Sequence, residues 1–411
     1  MDERTLKWPE HVSFDTRTYE DRLCPNCSSK GLRAFYGLKE IPVHSCFLLP
    51  GREDALGYPT SNLELGFCES CGFITNLRFD PGLHHYSAQC EESQGFSACF
   101  NAFARSLAQR TIDKYNIHNK VILEIGCGKG EFLALMCQLG NNRGIGFDPA
   151  YVPERNPDET GSRIEFIQDF YSAKYARLQA DVICCRHTLE HIAPTLEFMH
   201  MLHKTVADRP ETLLFFELPD VVRVLREGAF WDIYYEHCTY FSAGSLARLF
   251  RMAGFDLEEL YLDYHGQYLI VSARPNKGPT GECLDLEDDM TLLNQAVKEF
   301  RQTCAGKMDY WIRTIGEFAR DGKRTVLWGS GSKAVAFLTS LKLSNDIEYV
   351  VDINPYRHGR YLPGTGHEIV SPEFLRQYRP QKVIVMNPVY CNEIRQELDK
   401  LNVVADLLAC Q

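Results

Sequence analysis

One decapeptide constrains the fold more than any other part of the chain: Val121-Ile122-Leu123-Glu124-Ile125-Gly126-Cys127-Gly128-Lys129-Gly130. An apolar run with the composition of a buried strand ends in three alternating glycines and opens into an apolar helix, Glu131 to Leu139. Glycine lets the backbone turn sharply after a strand and approach a ligand that any side chain would exclude. The acid two places before the first glycine has a chemical role rather than a folding one. About twenty residues on, Gly144-Ile145-Gly146-Phe147-Asp148 reads as a second strand ending in a carboxylate, where an open α/β sheet holds the ribose hydroxyls of a nucleoside. A dinucleotide turn would space its glycines G-x-G-x-x-G and would not need Glu124. The plain alternative is an ordinary tight turn.

Strand and helix patterns alternate around this turn. Strands are expected at 121–125, 144–148, 163–167, 180–185 and 212–217, with a closing pair near 257–262 and 267–273, after a helix over 95–118. Such alternation implies a doubly wound parallel sheet with its ligand at the carboxyl ends of the strands. Arg274 to Gly281 reads as a linker, followed by a long amphipathic helix over 284–320. A second α/β unit starts at Thr325-Val326-Leu327-Trp328-Gly329-Ser330-Gly331, with strands at 347–352, ending in Asp352, and at 382–386. The chain has 411 residues, and single cores rarely grow past ~250–300, so several domains are expected. The divisions fall at 1–90, 91–275 and 282–411.

Residues 1–90 are rich in Cys, Gly, Pro and aromatics, with no helix expected. Cys24-Pro25-Asn26-Cys27 and Cys68-Glu69-Ser70-Cys71 each turn two thiolates toward one point, and four thiolates complete a tetrahedral Zn²⁺ shell. A small segment without a large core gains folding energy directly from such an ion. With every position filled by Cys, the zinc is structural. A redox dithiol is disfavoured by the second pair, and a zinc ribbon for nucleic acid by the net charge of −11. That charge also argues against an anionic membrane surface, since binding there needs clustered Lys and Arg. The start Met1-Asp2-Glu3-Arg4 leads into no apolar leader, and no uncharged run approaches ~18 residues. Sixteen cysteines, many scattered singly through apolar stretches, suit a reducing cytoplasm. The expected partner is a small molecule, and the expected state a monomer or weak homo-oligomer.

Glu124, Gly126, Gly128 and Gly130, with Asp148-Pro149 in register, resemble the S-adenosylmethionine site of class I methyltransferases. Asp169-Phe170, after the third strand, sits where an adenine amine and ring are held, while Arg186 and His187, after the fourth, line the same site. Methyl transfer to carbon beside a carbonyl needs a base near neutrality and a hydrogen-bond donor for the enolate oxygen. In Trp231-Asp232-Ile233-Tyr234-Tyr235-Glu236-His237-Cys238-Thr239-Tyr240-Phe241-Ser242, His237 is the natural base and Glu236 a group that orients or tunes it. Tyr235, Tyr240 or the upstream Tyr86 could contact acceptor oxygens; otherwise the stretch is an aromatic strand edge with a core histidine. His191 reads as structural. The turn His265-Gly266-Gln267-Tyr268 closes the acceptor pocket or is only a β-turn.

Together these pieces resemble a three-part family of sugar C-methyltransferases that act on nucleotide-linked ketodeoxysugars, and the resemblance spans nearly the whole chain. The paired cysteines match its N-terminal zinc-binding domain, and Glu124 to Gly130 with Asp148 match its methyltransferase core. Glu236-His237 with Tyr240-Phe241-Ser242 matches its catalytic segment, and Trp328-Gly329-Ser330-Gly331 with Val351 to Pro355 its C-terminal Rossmann-like domain. The resemblance implies that His237 makes the enolate, and that a tyrosine following the zinc domain, here Tyr86, enters the site. The family's His-Gly-Gly-Ser turn is replaced by His265-Gly266-Gln267-Tyr268, so His265 and Gln267 are the candidates for a different acceptor contact. Other readings are an O- or N-methyltransferase tailoring a natural product, a nicotinamide-dependent oxidoreductase using Gly329 to Ala334, and a zinc-knuckle interaction protein with a vestigial cofactor fold.

Overall fold

The structure is a computed structural model that describes residues 8–83, 86–87, 89–155, 163–276, 282–343 and 346–411. Short apolar runs in the first part form an antiparallel sheet of β1 (Val12–Ser13), β2 (Thr18–Leu23), β3 (Lys30–Pro42), β4 (Thr60–Phe67) and β5 (Ile74–Asn76). Its last strand comes from far downstream: Thr239 pairs with Thr75 and Tyr240 with Ile74. Contrary to the expectation of no helix here, Arg52–Leu56 forms one. Gly51 and Gly57 bracket it, and Glu53 and Asp54 sit in the first turn, where the helix dipole favours acids.

The second part forms β6 (Val121–Ile125), β7 (Arg143–Phe147), β8 (Ile164–Ile167), β9 (Val182–Arg186), β10 (Leu213–Pro219), β11 (Thr239–Tyr240), β12 (Phe255–Asp263) and β13 (Tyr268–Pro275). All but β11 join one sheet in the order β12-β13-β10-β9-β6-β7-β8. The run from β10 to β8 is parallel, and β13 is antiparallel to both β10 and β12. Strand order reverses between β6 and β9, so the glycine turn after β6 and His187 after β9 face one crevice. The helix before β6 spans Ala98–Tyr115, started by the Ser97 hydroxyl on Phe100 N–H and stopped by Asn116 in a left-handed conformation.

In the last part β14 (Thr325–Trp328), β15 (Tyr349–Val351), β16 (Glu368–Val370), β17 (Lys382–Val385) and β18 (Asp406–Ala409) form a parallel sheet in the order β16-β15-β14-β17-β18. Residues 277–281 of the expected linker lie outside the described residues. The long helix begins at Met290, not 284, and runs to Arg320. The acidic residues before it turn aside: Glu287 pairs with Arg251 at 2.6 Å and Asp289 with Arg248 at 2.8 Å, fixing the segment to the core's last helix, Ala243–Met252. Among the described residues no helix is long and apolar enough to cross a membrane.

The three parts of the chain share their packing. Phe300, in the long helix, lies edge-on to Phe35 and Tyr36 of β3 at 5.8 and 5.3 Å between ring centroids. Val224, Phe230 and Trp231 from the middle part and Phe337 and Leu338 from the last belong to the same buried cluster. Tyr361 and Leu49 form a β-bridge between the last part and the first. The divisions near 90 and 282 therefore divide the chain and not the core. Phe300→Ala removes a fully buried ring from this shared cluster and is expected to cost about 3–5 kcal/mol. Urea unfolding should show one cooperative transition shifted as a whole; two separated transitions would show that the parts fold independently.

Candidate active site

A cleft of about 1910 Å³ opens at the carboxyl ends of β6 and β9, walled by all three parts of the chain. Ligand pockets commonly hold ~300–1,000 Å³, so two ligands fit side by side. Gly126 and Gly128 take φ of 69° and 54°, and a Cβ at Gly126 would lie 2.0 Å from Thr188 Oγ1. Glycine is required there by conformation and by space. Gly130 does not line the cleft but starts the helix Glu131–Gly140. Asp148, with Pro149 beside it on the wall, accepts from Gly128 N–H at 2.8 Å and Ala150 N–H at 2.7 Å. Burial raises its pKa even against those two bonds.

Glu124 is buried, and its Oε2 has no partner. Burial pushes its carboxyl up to about 7, against the pull of Arg186. An orphaned acceptor on a crevice wall suits a ligand that brings a donor or a cation, and Asp148 and the glycine turn line the same cleft; the residues fit S-adenosylmethionine. Arg186 lies over the Phe132 ring at 3.8 Å and donates to Glu217 at 2.5 Å. His187 contacts the other Glu217 oxygen at 3.1 Å. Burial would raise the Glu217 pKa, but Arg186 and His187 outweigh it and hold it at about 2. Burial would lower His187, but Glu190 and Glu217 lift it to about 9. Asp169 is held by Lys174 and by the Tyr175 hydroxyl, at 2.6 Å for the latter, while the exposed Phe170 ring lies 6.2 Å from Tyr86.

The opposite wall is the segment before β11. His191 Nδ1 donates to the Glu236 carbonyl at 3.0 Å, and Thr239 Oγ1 to Leu189 O at 3.2 Å. From the first part, Asn76 N–H and Thr75 Oγ1 donate to Cys238 O at 2.8 and 3.0 Å. The Glu236 carboxyl accepts from the backbone N–H of Ser45 at 2.8 Å and from its hydroxyl, and burial pushes it up to about 7. The His237 ring lies 4.8 Å from His191 and 4.1 Å from Tyr234 between centroids. Tyr86 stands 6.0 Å from His191 and 5.5 Å from His44. His237, Glu236 and Tyr86 thus share the cleft with the glycine turn.

Other expected site residues lie elsewhere. Tyr235 is fully buried below the cleft, its hydroxyl accepting from Asp80 N–H at 2.8 Å, and Tyr234 takes the lining position instead. Tyr240 does not line the cleft; its hydroxyl donates to Tyr234 O at 3.2 Å and braces the segment. His265 is exposed on its turn, outside the cleft. Gln267 does line it, but its amide exchanges two hydrogen bonds with Asn387, at 3.1 and 3.0 Å, which makes it a bridge to the last part. Tyr268, the next residue, stacks edge-on to His187 at 4.5 Å.

Several further lining residues come together from separate parts of the chain. Arg223 and Lys333 converge on Asp232, each at 2.6 Å, and Arg357 donates to Ser330 O at 2.8 Å and to Glu91 O. Asp352, the acid of the second glycine turn, accepts from Ser330 N–H at 2.8 Å and Asn354 N–H at 2.8 Å, repeating the geometry at Asp148. Away from the cleft, Cys24 and Cys71 Sγ lie 3.7 Å apart, as do Cys27 and Cys68. A tetrahedral ion with ~2.3 Å bonds to sulfur has edges of ~3.8 Å, so the four thiols could hold one.

Residues 98–260 match a family described as a methyltransferase domain, and residues 268–404 one described as a C-methyltransferase C-terminal domain. The chain is 26% identical over 373 residues to the C-methyltransferase NovU of Streptomyces niveus, across 84% of this chain and 85% of that one. Among solved structures it is similar to a 1,6-didemethyltoxoflavin N1-methyltransferase of Burkholderia thailandensis, 19% identical, covering 42% of this chain and 79% of that one with a TM-score of 0.34. It is also similar to a magnesium protoporphyrin IX methyltransferase of Synechocystis PCC 6803, 16% identical, covering 43% and 84% with a TM-score of 0.34.

Burial keeps Glu236 protonated in the fold up to about pH 7, against ~4.3 in an unfolded chain. Its carboxyl therefore favours the fold at low pH and loses that contribution as pH rises from ~4.3 to the folded value. Glu236→Gln, which cannot ionise, is expected to gain about 1–3 kcal/mol relative to wild type between roughly pH 5 and pH 8. Paired thermal melts across that range check it; a gap that does not change with pH would refute the burial effect.

Proposed function

We propose a base and a substrate class for this chain, which belongs to the S-adenosylmethionine-dependent C-methyltransferase family. His237 removes a proton from carbon beside the ketone of a nucleotide-linked sugar, and the resulting carbanion takes the methyl group. The observation that carries this reading is the buried Glu236–His237 pair on the wall facing the glycine turn across one cleft.

Bound S-adenosylmethionine supplies a methyl group on a sulfonium, which reacts only with a deprotonated or electron-rich centre. Gly126, Gly128, Glu124, Asp148 and Pro149 hold its nucleoside and amino-acid ends, Asp169 and Phe170 border the adenine, and Arg186 with His187 brace that wall. Ser45 holds Glu236, and the Glu236 carbonyl holds His191, so the His237 ring is set by groups from two parts of the chain. Burial raises the Tyr86 phenol well above its ordinary pKa. It stays protonated and can donate to the oxygen that gains charge as His237 takes the proton. Lys333 and Arg223, held together by Asp232, and Arg357 bring charged donors to the far wall that a diphosphate can engage. The last part, 282–411, then carries the nucleotide end of the acceptor, and the middle part, 91–275, the methyl donor.

His237→Gln is expected to lower turnover by about 10²–10⁴-fold while leaving S-adenosylhomocysteine binding intact by calorimetry. In D₂O without methyl donor, wild type should exchange the α-hydrogen of a keto-sugar nucleotide, and His237→Gln should not. Exchange by the variant would overturn the base, and absence of exchange in wild type over a panel of such sugars would favour O- or N-methylation. We further propose that Cys24, Cys27, Cys68 and Cys71 of the 1–90 part bind structural Zn²⁺. Emission spectroscopy should find about one zinc per chain, lost in Cys68→Ser together with thermal stability.

A further inference from the structure

Outside the cysteine cluster, Glu190, His191 and His237 place one potential ligand atom each within 4.8 Å of one another. Glu190 and His191 sit in the short turn Leu189–His191 after β9, and His237 arrives on the segment before β11. All three line the cleft. The Glu190 side chain is 3% exposed, yet neither carboxylate oxygen has a hydrogen-bond partner. The His187 Nδ1 lies 3.6 Å from Oε1, beyond hydrogen-bond length. His187 faces this carboxylate as an ion-pair partner at that distance, yet a buried carboxylate without hydrogen bonds stays poorly solvated, and a bound cation would supply what is missing.

The neighbouring imidazole is already arranged as a ligand. A carbonyl can only accept, so His191 Nδ1 carries the proton that it donates to Glu236 O at 3.0 Å. The neutral ring then has its lone pair on Nε2. Metal-bound imidazoles are commonly set in this way, one N–H on a backbone carbonyl and the other nitrogen on the ion. Two imidazoles and one carboxylate are the donor set of borderline divalent ions such as Zn²⁺ and Co²⁺, and they leave coordination positions open to the cleft.

We infer that Glu190, His191 and His237 form a second, reversible site for a borderline divalent cation, whose occupancy switches the enzyme off. Its inhibitory effect rests on the proposed role of His237 as the base. A neutral imidazole has one lone pair; an ion bound there leaves none to accept the substrate proton. Glu190 supplies the negative charge that holds the cation between two neutral rings. The site is separate from the four thiols, which belong to the first part of the chain and lie outside the cleft.

The test uses the full chain with its thiolate site filled with Zn²⁺, titrated with Co²⁺ and followed by absorption and by turnover. A second equivalent should bind with weak d–d bands and no thiolate charge-transfer band, and turnover should fall with occupancy and return on adding a chelator. Glu190→Gln and His191→Asn should each weaken Co²⁺ binding by at least about tenfold, with near-ultraviolet circular dichroism confirming the fold. No binding beyond the thiolates, or binding unchanged in both variants, overturns the site. If the second ion binds as described but His237→Gln still turns over, the site stands and the base assignment fails. If His237→Gln is dead and no second ion binds, the base stands and the site fails.

Discussion

The cleft depends on where one short segment, residues 233–241, is held. Its β11 is the last strand of a sheet whose other strands all lie before residue 77, and its start is bonded to the turn after β9 of the central sheet. Asn76 and Thr75 hold Cys238 O from one side, and Thr239 reaches Leu189 O on the other. Ser45 meets the Glu236 carboxyl within that clamp. The His237 ring is thereby fixed relative to the glycine turn without either part of the chain being able to place it alone. Such pre-positioning matters because proton abstraction demands a base held within hydrogen-bond reach of the acceptor carbon.

Buried carboxylates around the cleft show how position decides charge. Glu217, Glu124 and Glu236 are each almost inaccessible to water. Glu217 lies between the Arg186 guanidinium and His187 and is held ionised at about 2. Glu124 feels only a weaker pull from Arg186, and Glu236 has hydrogen-bond donors but, among the described residues, no paired cation, so both rise to about 7. Desolvation is similar for the three, and the presence of a directly paired cation decides the outcome. Each of the two raised acids keeps one oxygen without a partner inside the cleft region, where a bound ligand can meet it.

The two glycine turns are alike locally and differ in what surrounds them. Asp148 and Asp352 accept the same kind of backbone N–H groups from their own turns. The lysines that follow diverge: Lys129 is buried, donating to Cys90 O at 2.8 Å and Ala150 O at 2.9 Å, and so ties the segment after the first sheet to the turn. Lys333 instead faces the cleft beside Asp232. Glu91 adds a further tie, meeting Arg155 at 2.6 Å and Asn354 at 3.0 Å, so a single carboxylate links the middle and last parts.

The sequence by itself determined the elements and the donor side of the cleft. Strand windows at 121–125 and 212–217, the alternating glycines and the acids at 124 and 148 are all local patterns, because hydrophobic period and glycine geometry act over a few residues. Glu236 and His237 were legible as neighbours for the same reason. What only the tertiary structure decided is which side chains meet across parts of the chain. Tyr235 and Tyr240 stand beside His237 in sequence, yet packing turns them into braces, and of the three tyrosines expected at the acceptor only Tyr86 lines the cleft. Gln267 spends its amide on Asn387, Ser45 has no motif around it, and Lys333, in the second glycine turn, meets Asp232 from another part of the chain. Their roles come from long-range pairing, which depends on how three sheets share one core and which no local spacing encodes.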